Sequence, residues 1–549
     1  CLLHNSPSFV NKFSIIPESK KLSFINLRIK MQGKKVYHEK LFSNFQLSQR
    51  VPKENFYRRL KELLDLSFLY SLTKPYYGSC GQKSIDPVVF YKLCLVGYLE
   101  NIISDRQIIE HCSMRLDILY FLGFDIDEEL PWHSTLSRTR HMFPEELFEK
   151  VFEQVLRMCI EKGMVSGHTQ AMDSAPVKAN ASMDSLELKV PEEELDAYLR
   201  RVRHLNTKDK ENYPHRKAKK NKASQQQQSI TADKQELQGI KSRTKKWAAD
   251  QDARPGSRNK GAKYTSNKTH YSPTDPDARI SVKPGKARKL NYHGNISVDT
   301  ANHVITDAKA YHADRVDSTN LQDVTLRLKK RLLKEGLMWR NVLADAGYSS
   351  GENYAFLEKQ NLISYIPPHG TYKGGPKGFT YIKDGNYWLC PEGKKATFRV
   401  RRAEKGNWKD YYLTRRSDCK DCLIKQQCIG KSFEKRIGIT IYVDQYTRNN
   451  QRIRSKFGRA MKSKRQSTVE PVWGTLTQFM GLRKINTIGI EQANKIVQMA
   501  ATAYNLKKLL RFERKQIKTM AMAIAFSFSS LRLKIKDFKP VLSPEFSFC

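Results

Sequence analysis

A long hydrophilic segment in the middle of the chain constrains its fold most, because this segment cannot help to build a hydrophobic core. Residues 201–290 contain 24 lysines and arginines against 8 acidic residues, and they include the run "QQQQ" from Gln225 to Gln228. This composition predicts a largely disordered or DNA-ordered insertion. A solvated linker that binds nothing is the alternative. In either case, the folded parts of the chain must be assembled from the segments that precede and follow the insertion.

The whole chain carries a large excess of positive charge. Its 549 residues include 97 lysines and arginines against 56 acidic residues, for a net charge of +41. A field of this size predicts a polyanionic partner, with a merely basic soluble protein as the alternative. An acidic membrane surface is a second alternative, but the apolar segment "MAMAIAFSF" (residues 520–528) is too short to span a bilayer. We therefore expect no membrane partner.

The amino-terminal segment and the cysteines indicate the compartment. The chain starts at Cys1, its first methionine is Met31, and "CLLHNSPSFVNKFSIIP" lacks the charged start and apolar run of a secretory signal. Residues 1–30 are therefore interpreted as translated upstream sequence or a disordered leader. Ten cysteines are ordinary usage for this length, and several lie in apolar helical patterns. Reduced thiols in a bacterial cytoplasm fit this usage.

The segment before the insertion has the periodicity of helices. "FPEELFEKVFEQVLRMCIEKG" repeats apolar residues at i, i+3 and i+4 between Pro144 and Gly163. Shorter helical patterns, "PVVFYKLCLVGYLEN", "SDRQIIEHC" and "STLSRTRHM", precede it. Short helices joined by tight turns favour a helix-turn-helix module, with Arg138 and Arg140 on its last helix as DNA contacts. A plain helical bundle with a solvated basic face is the alternative.

Strand patterns on both sides of the insertion predict an α/β sheet. "GHTQAMDSAPVKANAS" has the pattern of a strand that ends in a loop, and "KLNYHGNISVDT" and "HVITDAKAYH" follow the insertion. An amphipathic helix, "STNLQDVTLRLKKRLLKEG", separates these strands from "NVLADAGYSS" and "LISYIPP". This order of elements predicts a mixed sheet with antiparallel and parallel strands.

Three carboxylates lie where such a sheet would gather them. Asp173 and Asp345 lie at the ends of predicted strands, and Glu470 lies at the predicted start of a helix, because Pro471 suits a first helical turn. Converging carboxylates need a cation, and oxygen ligands suit Mg²⁺ or Mn²⁺. Spacing alone is weak evidence, since any α/β protein offers many acidic triples.

The motifs around these carboxylates resemble those of a known family. "AMDSAPVKANAS", "NVLADAGYSS" and "STVEPVWGTLTQF" followed by "LRK" occur in the order of the acidic motifs of DDE transposases of bacterial insertion sequences. The segment "SPTDPDARISVKPGK" (residues 272–286) and a cysteine-bearing insertion before the glutamate are also similar to one group of that family. The resemblance covers roughly residues 45–512.

The resemblance implies a fold and a reaction. It implies an RNase H-like core in which Asp173, Asp345 and Glu470 hold two Mg²⁺ or Mn²⁺ ions. The implied partners are double-stranded DNA, as element ends and as target, and a second copy of the chain in a homodimer. The implied reaction is hydrolysis at the element ends, followed by attack of the freed 3′-hydroxyls on target DNA. An inactive derivative that only binds DNA and a nuclease that does not join strands are the alternatives.

Several residues near Glu470 depart from the family pattern. Arg465 lies five residues before Glu470, Gln466 stands where relatives have an arginine, and Thr477 stands where relatives often have a lysine. We expect Arg465, Arg483 and Lys484 either to contact DNA phosphates or to be solvated helix charges.

Four clustered cysteines suggest a second metal. They have the spacing C-x28-C-x2-C-x5-C and are Cys390, Cys419, Cys422 and Cys428. This pattern predicts a structural Zn²⁺ site in an insertion with little core of its own. Reduced cysteines in a small β subdomain are the alternative.

These observations predict an α/β chain with an RNase H-like mixed-sheet core, an all-α amino-terminal domain and a β-rich insertion. The predicted segments are a leader at 1–30, a helical DNA-recognition domain at 31–164, a first core strand at 165–182, the basic insertion at 183–289, the core at 290–368, a β-rich cysteine-bearing insertion at 369–455, carboxyl-terminal core helices at 456–512 and a basic tail at 513–549.

Overall fold

The computed structural model describes residues 45–78, 84–188, 267, 270–281, 289–370, 374–404 and 407–536. The predicted leader, most of the basic insertion and the end of the basic tail lie outside these described residues. Every element named below lies within residues 47–549.

The amino-terminal part is helical, as predicted. Its largest helix follows the expected apolar pattern, with Leu147, Val151 and Val155 buried along one face. Pro87 starts another helix behind Asp86, whose side chain accepts hydrogen bonds from the amides of residues 88 and 89. The helices are α1 (Leu47–Arg50), α2 (Phe56–Leu63), α3 (Phe68–Thr73), α4 (Pro87–Leu99), α5 (Asp105–Ser113), α6 (Leu116–Leu122), α7 (His133–Met142) and α8 (Glu145–Glu161).

A mixed sheet follows. Its strands are β1 (Thr169–Lys178), β4 (Arg279–Ser281), β5 (Lys289–Asp299), β6 (Ile305–His312), β7 (Asn341–Leu343) and β8 (Ile363–Tyr365), while β2 (Glu187–Leu188) and β3 (His270–Tyr271) pair separately. The order is β4-β5-β1-β7-β8, with β6 paired to the other edge of β5. β1 is antiparallel to β5 and parallel to β7, and β7 is parallel to β8. This is the mixed sheet that the strand patterns predicted, and it agrees with the RNase H-like core that the family resemblance implied.

Helices cover both faces of this sheet. On one face Met172 and Val342 pack with apolar residues of α9 (Asp317–Lys334) and α10 (Gly351–Lys359). On the other face Ala171 and Val177 pack into a larger core that includes α14 (Lys456–Phe479), α15 (Ile490–Lys536) and the amino-terminal helices. Successive β1 side chains thus enter different cores, which makes the domain a three-layer α/β structure.

A second, antiparallel sheet separates β8 from α14. It has the order β13-β12-β11-β10-β9 and a small core of Trp388, Ala396, Tyr412 and Ile437. The elements are β9 (Thr380–Ile382), β10 (Tyr387–Leu389), β11 (Lys395–Glu404), β12 (Asn407–Leu413), α11 (Arg416–Lys420), α12 (Lys425–Cys428), β13 (Arg436–Thr440) and α13 (Val443–Arg454). The predicted β-rich insertion is present.

The start of α14 differs from the sequence prediction. The helix begins at Lys456, where the Ser455 side chain accepts a hydrogen bond from the amide of Gly458. Pro471 therefore lies inside the helix rather than in its first turn. A proline there lacks the N–H that would bond to the carbonyl of Ser467, a local cost that the burial of Val469, Val472 and Leu476 offsets. Packing has overridden the local signal for a helix start.

The "TDPDAR" segment joins the sheet to the longest helix. Tyr292 on β5 donates a 2.6 Å hydrogen bond to Asp275, and the amide of Gly489 donates to the same oxygen at 3.2 Å. Asp277 accepts from the amide of Ile490 at 3.1 Å. Both carboxylates thus satisfy donors at the amino-terminal end of α15, which fixes that helix to β5.

The helix α15 continues to Lys536, past the expected start of the tail at residue 513. Among the helices that the structure describes, none combines the length and hydrophobicity needed to cross a bilayer.

Candidate active site

Strand register brings Asp173 and Asp345 together. β1 and β7 are parallel, with Ala171 paired to Leu343. Asp173 lies two residues further along β1, Asp345 follows the end of β7 by two residues, and the charge of Asp345 acts on the carboxyl of Asp173. Parallel neighbours lie about 4.8 Å apart, and ligand sites form at the carboxyl ends of such strands. Two of the three predicted carboxylates therefore meet at one edge of the sheet.

The surroundings of Asp173 disfavour its ionised form. Its side chain is 19% exposed, and Arg465 Nη1 lies 3.6 Å from Asp173 Oδ1. Burial raises the pKa of Asp173 to about 6, the Arg465 guanidinium opposes the rise, and the nearby Asp345 carboxylate adds to it. The aspartate pair is thus a site of unbalanced negative charge that an additional cation would relieve.

Asp173→Asn is expected to stabilise the metal-free protein at alkaline pH. Because the pKa of this carboxyl is higher in the folded than in the unfolded chain, the folded state binds more protons between about pH 4 and 6, and stability falls as the pH rises through that window. The variant does not lose stability in this way. Its free energy of unfolding should therefore exceed that of the wild type by about 1–3 kcal/mol at pH 8, and by less at pH 5. Urea unfolding in EDTA measures both values. An equal increase in the free energy of unfolding at pH 8 and at pH 5 would contradict the raised pKa of Asp173.

Sequence reasoning missed Asp317, the first residue of α9. Its Oδ1 accepts a hydrogen bond from Ser174 Oγ, next to Asp173, and lies 3.7 Å from His293 Nδ1. The Asp317 charge also contributes to raising the pKa of Asp173. The only sequence signal for this residue was an acidic residue at the first position of a helix, a common feature that carries no indication of a site.

Gly347 lies between two of these carboxylates. A Cβ atom at this position would lie 2.9 Å from Asp317 Oδ2 and 3.0 Å from Asp345 Oδ1. The Gly347 amide also donates a 2.9 Å hydrogen bond to Asp345 Oδ1. A side chain here would crowd both carboxylates, which would have to shift to admit it. Asp317 therefore approaches the aspartate pair from the α9 side of the sheet.

Glu470 lies on the exposed side of α14. The opposite side holds the helix on the sheet: Val469 and Val472 are buried, and a Cβ at Gly294 of β5 would lie only 2.9 Å from Trp473 Cη2. This contact docks α14 on the sheet. Glu470 makes no hydrogen bond or ion pair with the part of the chain that the structure describes. On the same helix, Arg465 faces Asp173.

The donors at this edge match a divalent cation in chemical type. Asp173 and Asp345, with Asp317 nearby, offer the carboxylate oxygens that Mg²⁺ and Mn²⁺ prefer. Within the described residues, no three His, Cys, Asp or Glu side chains are arranged as a ligand set. The aspartate pair therefore fits as part of a site for a divalent ion, and Glu470 does not complete that site in this arrangement.

The predicted DNA contacts fall into two groups. Arg138, Arg483 and Lys484 are exposed. Arg140 is 7% exposed and forms two hydrogen bonds with Asp105, at 2.9 and 2.7 Å, while its carbonyl accepts from Lys495 of α15. We therefore correct the prediction for Arg140. Its buried, paired guanidinium links α7 to α5 and is not available to a phosphate.

The residues after α14 are close to the end of β1. The Ile485 amide donates a 2.8 Å hydrogen bond to the Lys178 carbonyl, and Lys178 forms a parallel bridge with Lys484. Arg483 and Lys484 are thus fixed beside the strand that carries Asp173. Thr477, the departure from the family pattern, donates its hydroxyl to the Trp473 carbonyl at 2.7 Å. Thr477 therefore makes a hydrogen bond within the helix, at a position where relatives often have a charged lysine.

The four cysteines of the second sheet are free and partly exposed. Cys390 Sγ accepts a 3.2 Å hydrogen bond from the amide of Lys394, and Cys419 Sγ lies 3.1 Å from Thr414 Oγ1. No three of the four, Cys422 and Cys428 included, form a metal-ligand group among the described residues. The zinc site therefore stays a prediction from the spacing. The three described cysteines of the helical region, Cys94, Cys112 and Cys159, are buried free thiols, as expected.

Two family models match this chain. Residues 45–142, in the helical region, match the transposase domain DUF772. Residues 389–510 match a transposase DDE domain. No curated protein matches the chain.

The second match runs from β10 to the middle of α15. It contains Arg465 and Glu470, whereas Asp173 and Asp345 lie before it. The two domains occur in the order that the sequence resemblance predicted, and the structure adds the mixed sheet on which the aspartates meet. The chain is thus a transposase with a DUF772 amino-terminal domain and a DDE transposase domain.

Proposed function

We propose that this transposase cleaves DNA at the ends of its insertion sequence and joins the freed 3′-hydroxyls to target DNA, with Asp173, Asp345 and Glu470 as its catalytic carboxylates. The observation that carries the proposal is the register of β1 and β7, which makes Asp173 and Asp345 neighbours in a DDE transposase. The raised pKa of Asp173, caused mainly by burial and partly by the Asp345 charge, supports a role for the pair in binding a cation.

Each residue of the pair has a distinct environment. The Gly347 amide holds Asp345 in one orientation, and the hydrogen bond between Ser174 and Asp317 fixes the backbone next to Asp173. Two divalent ions bound by the catalytic carboxylates would activate the attacking oxygen and stabilise the leaving oxygen of the phosphodiester. The protein would therefore contribute mainly position and charge, as is general for phosphoryl transfer.

Arg465 supplies positive charge at the same edge. In the DNA-free chain its guanidinium partly neutralises Asp173. A DNA phosphate offers an arginine a stronger, bidentate partner. We propose that Arg465 orients the scissile phosphate, while the exposed Arg138, Arg483 and Lys484 bind phosphates on either side. Glu470, exposed on α14, is free of protein partners among the described residues and is available to complete the site when DNA and ions are bound.

A joining assay tests this proposal. The full chain is incubated with Mg²⁺ and end-labelled duplexes that carry the DNA flanking its own coding sequence, together with an unlabelled circular target. We expect nicks that expose 3′-hydroxyls and labelled products joined to the target, and EDTA should abolish both. Acting on two ends with one site per chain also favours a homodimer on DNA.

The assay separates the alternatives. Nicks without joined products would favour a nuclease that does not transfer strands. DNA binding without nicks would favour a derivative that only binds DNA. Either outcome would overturn the proposed reaction, although the chain would still belong to the family.

A further inference from the structure

A groove with three lysines lies at the carboxyl end of β1. Its volume is about 510 Å³, within the range of roughly 300–1,000 Å³ that is usual for ligand pockets. Four segments line it: the end of β1 with the residues that follow, the "TDPDAR" segment, the start of β5, and the residues after α14. We call it the lysine groove, after Lys178, Lys289 and Lys484, which lie in its lining.

The alternation of side chains along the strands turns two of these lysines away from the core. Val177 and Ala179 of β1 and Leu290 of β5 are buried in the larger core. Successive residues of a strand point to opposite faces of the sheet. Lys178 and Lys289 therefore point out of that core, and both are exposed.

Backbone pairing on both sides of β1 brings the three lysines together. On one side Lys178 forms a parallel bridge with Lys484, and neighbouring strands lie about 4.8 Å apart. On the other side the amide of Ala179 donates a 3.0 Å hydrogen bond to the carbonyl of Leu290, next to Lys289. Three ammonium groups thus approach one space from three different segments.

The positive charge of the groove is not neutralised within the part of the chain that the structure describes. There, none of the three lysine side chains forms a hydrogen bond or an ion pair, and no carboxylate lines the groove. The exposed Asp184 accepts a 3.0 Å hydrogen bond from Ser182 Oγ, and the buried Asp275 accepts one from Tyr292. Glu187 lies further on, paired through its backbone in the separate β2-β3 ribbon.

This lining suits phosphate groups in chemical type. Like charges on neighbouring strands destabilise a sheet, and an anion between Lys178 and Lys484 would relieve their repulsion. Lysine binds phosphate as a point charge, and hydroxyl groups such as that of the exposed Thr274 also contact phosphate oxygens. Because the lysines come from separate segments around a volume of this size, they suit successive phosphates of a polynucleotide strand.

The groove is within reach of DNA that is bound at the aspartate pair. Lys178 follows Asp173 by five residues on β1, which corresponds to about 16 Å at roughly 3.3 Å per residue. One DNA strand carries a phosphate about every 3.4 Å along the helix axis. The groove therefore lies about five nucleotides from a phosphate at Asp173.

We propose that the lysine groove binds the backbone phosphates of one DNA strand, about five nucleotides from the cleaved bond. This inference rests on the proposed function, in which DNA is cleaved at the aspartate pair. It adds Lys178 and Lys289, which the sequence did not indicate, to the predicted contact Lys484. Contacts of this kind hold the strand in position and read no sequence.

Charge removal from the groove tests the proposal. The full chain is titrated in EDTA with a fluorescent 30-base-pair duplex that carries the DNA flanking its own coding sequence. Lys178→Gln and Lys289→Gln should each weaken binding about 8-fold at 100 mM salt and lower the slope of log K against log salt by about 0.9. The double variant should weaken binding about 60-fold and lower the slope by about 1.8.

Lys359→Gln is the matched control. Lys359 is the exposed last residue of α10, and the chain enters β8 soon after it, at the amino end of the parallel strands and opposite the aspartate edge. This variant removes the same charge from the same domain, and its affinity should change less than about twofold.

A neutral phosphate analogue tests the position of the contact on wild-type protein. A single methylphosphonate is placed in turn at each linkage near the nick that the joining assay maps. Affinity for wild type should fall most about five nucleotides from the nick, and the double variant should lose little more from the same analogue. Equal effects at all linkages would overturn the proposed position of the groove contact.

The outcomes separate this inference from the proposed function. If the double variant keeps the affinity and salt slope of Lys359→Gln, the lysine groove binds no phosphate, while the proposed cleavage and joining remain intact. If the wild-type protein joins no DNA, the proposed reaction is overturned, and the titrations still show whether the groove binds DNA. A thermal midpoint for each variant shows that the protein is folded.

Discussion

Asp345→Asn is expected to lower the rate of DNA cleavage by on the order of 10³-fold or more, while DNA affinity changes less than about threefold. The substitution keeps the shape of the side chain and its contact with the Gly347 amide, but it removes the charge that faces Asp173. An amide is a poor ligand for Mg²⁺, so the loss should appear in cleavage and not in binding. Single-turnover cleavage and fluorescence anisotropy measure the two quantities.

Asp127→Asn is the matched control, because Asp127 is an exposed aspartate between α6 and α7 and belongs to no cluster described above. It should cleave at close to the wild-type rate. Cleavage by Asp345→Asn within tenfold of wild type would remove Asp345 from the active site. A parallel loss of affinity would instead indicate a structural role.

The largest effect on stability is expected from Asp307→Asn. Asp307 of β6 is fully buried and pairs with Arg327 and Arg331 of α9, and Arg331 also contacts Glu149 of α8. Removing the one charge between two largely buried arginines leaves both of them undercompensated. We expect the free energy of unfolding to fall by about 3–5 kcal/mol, measured as a shift of the urea unfolding midpoint.

Asp323→Asn is the control for this effect. Asp323 also pairs with Arg327, but its side chain is 52% exposed, so its loss should cost less than about 1 kcal/mol. Burial alone would raise the pKa of Asp307, yet Arg327 and Arg331 hold it below its ordinary value. Its contribution is therefore present at neutral pH and is lost as the pH falls below about 4. A similar cost for the two variants would contradict the buried network.

Most of the fold could be predicted from local patterns in the sequence. The i, i+3, i+4 repeat of α8 has the period of a helix, and the apolar segments around Asp173 and Asp345 have the pattern of strands. The structure confirms the helical region, the mixed sheet and the second sheet. The start of α14 could not be predicted in this way. Pro471 favours a helix start locally, but the burial of residues on both sides of it extends the helix back to Lys456.

The site was less accessible to sequence reasoning, because it depends on pairing between distant strands. The proximity of Asp173 and Asp345 follows from a parallel register that no local pattern specifies. Asp317 and the burial of Arg140 likewise depend on contacts between distant segments. The place of Glu470 in the site stays a prediction, since this residue is exposed on α14 beside the buried Val469 and Val472.

The central claim is that Asp173 and Asp345 together bind the divalent ion that DNA cleavage requires. The most direct test is the cleavage rate of Asp345→Cys in Mg²⁺ and in Mn²⁺, since a thiolate is a poor ligand for Mg²⁺ and a better one for Mn²⁺. We predict that the variant is inactive in Mg²⁺ and recovers at least tenfold in Mn²⁺, while Asp345→Ala is inactive in both. Wild-type rates for Asp345→Cys in Mg²⁺ would contradict the claim.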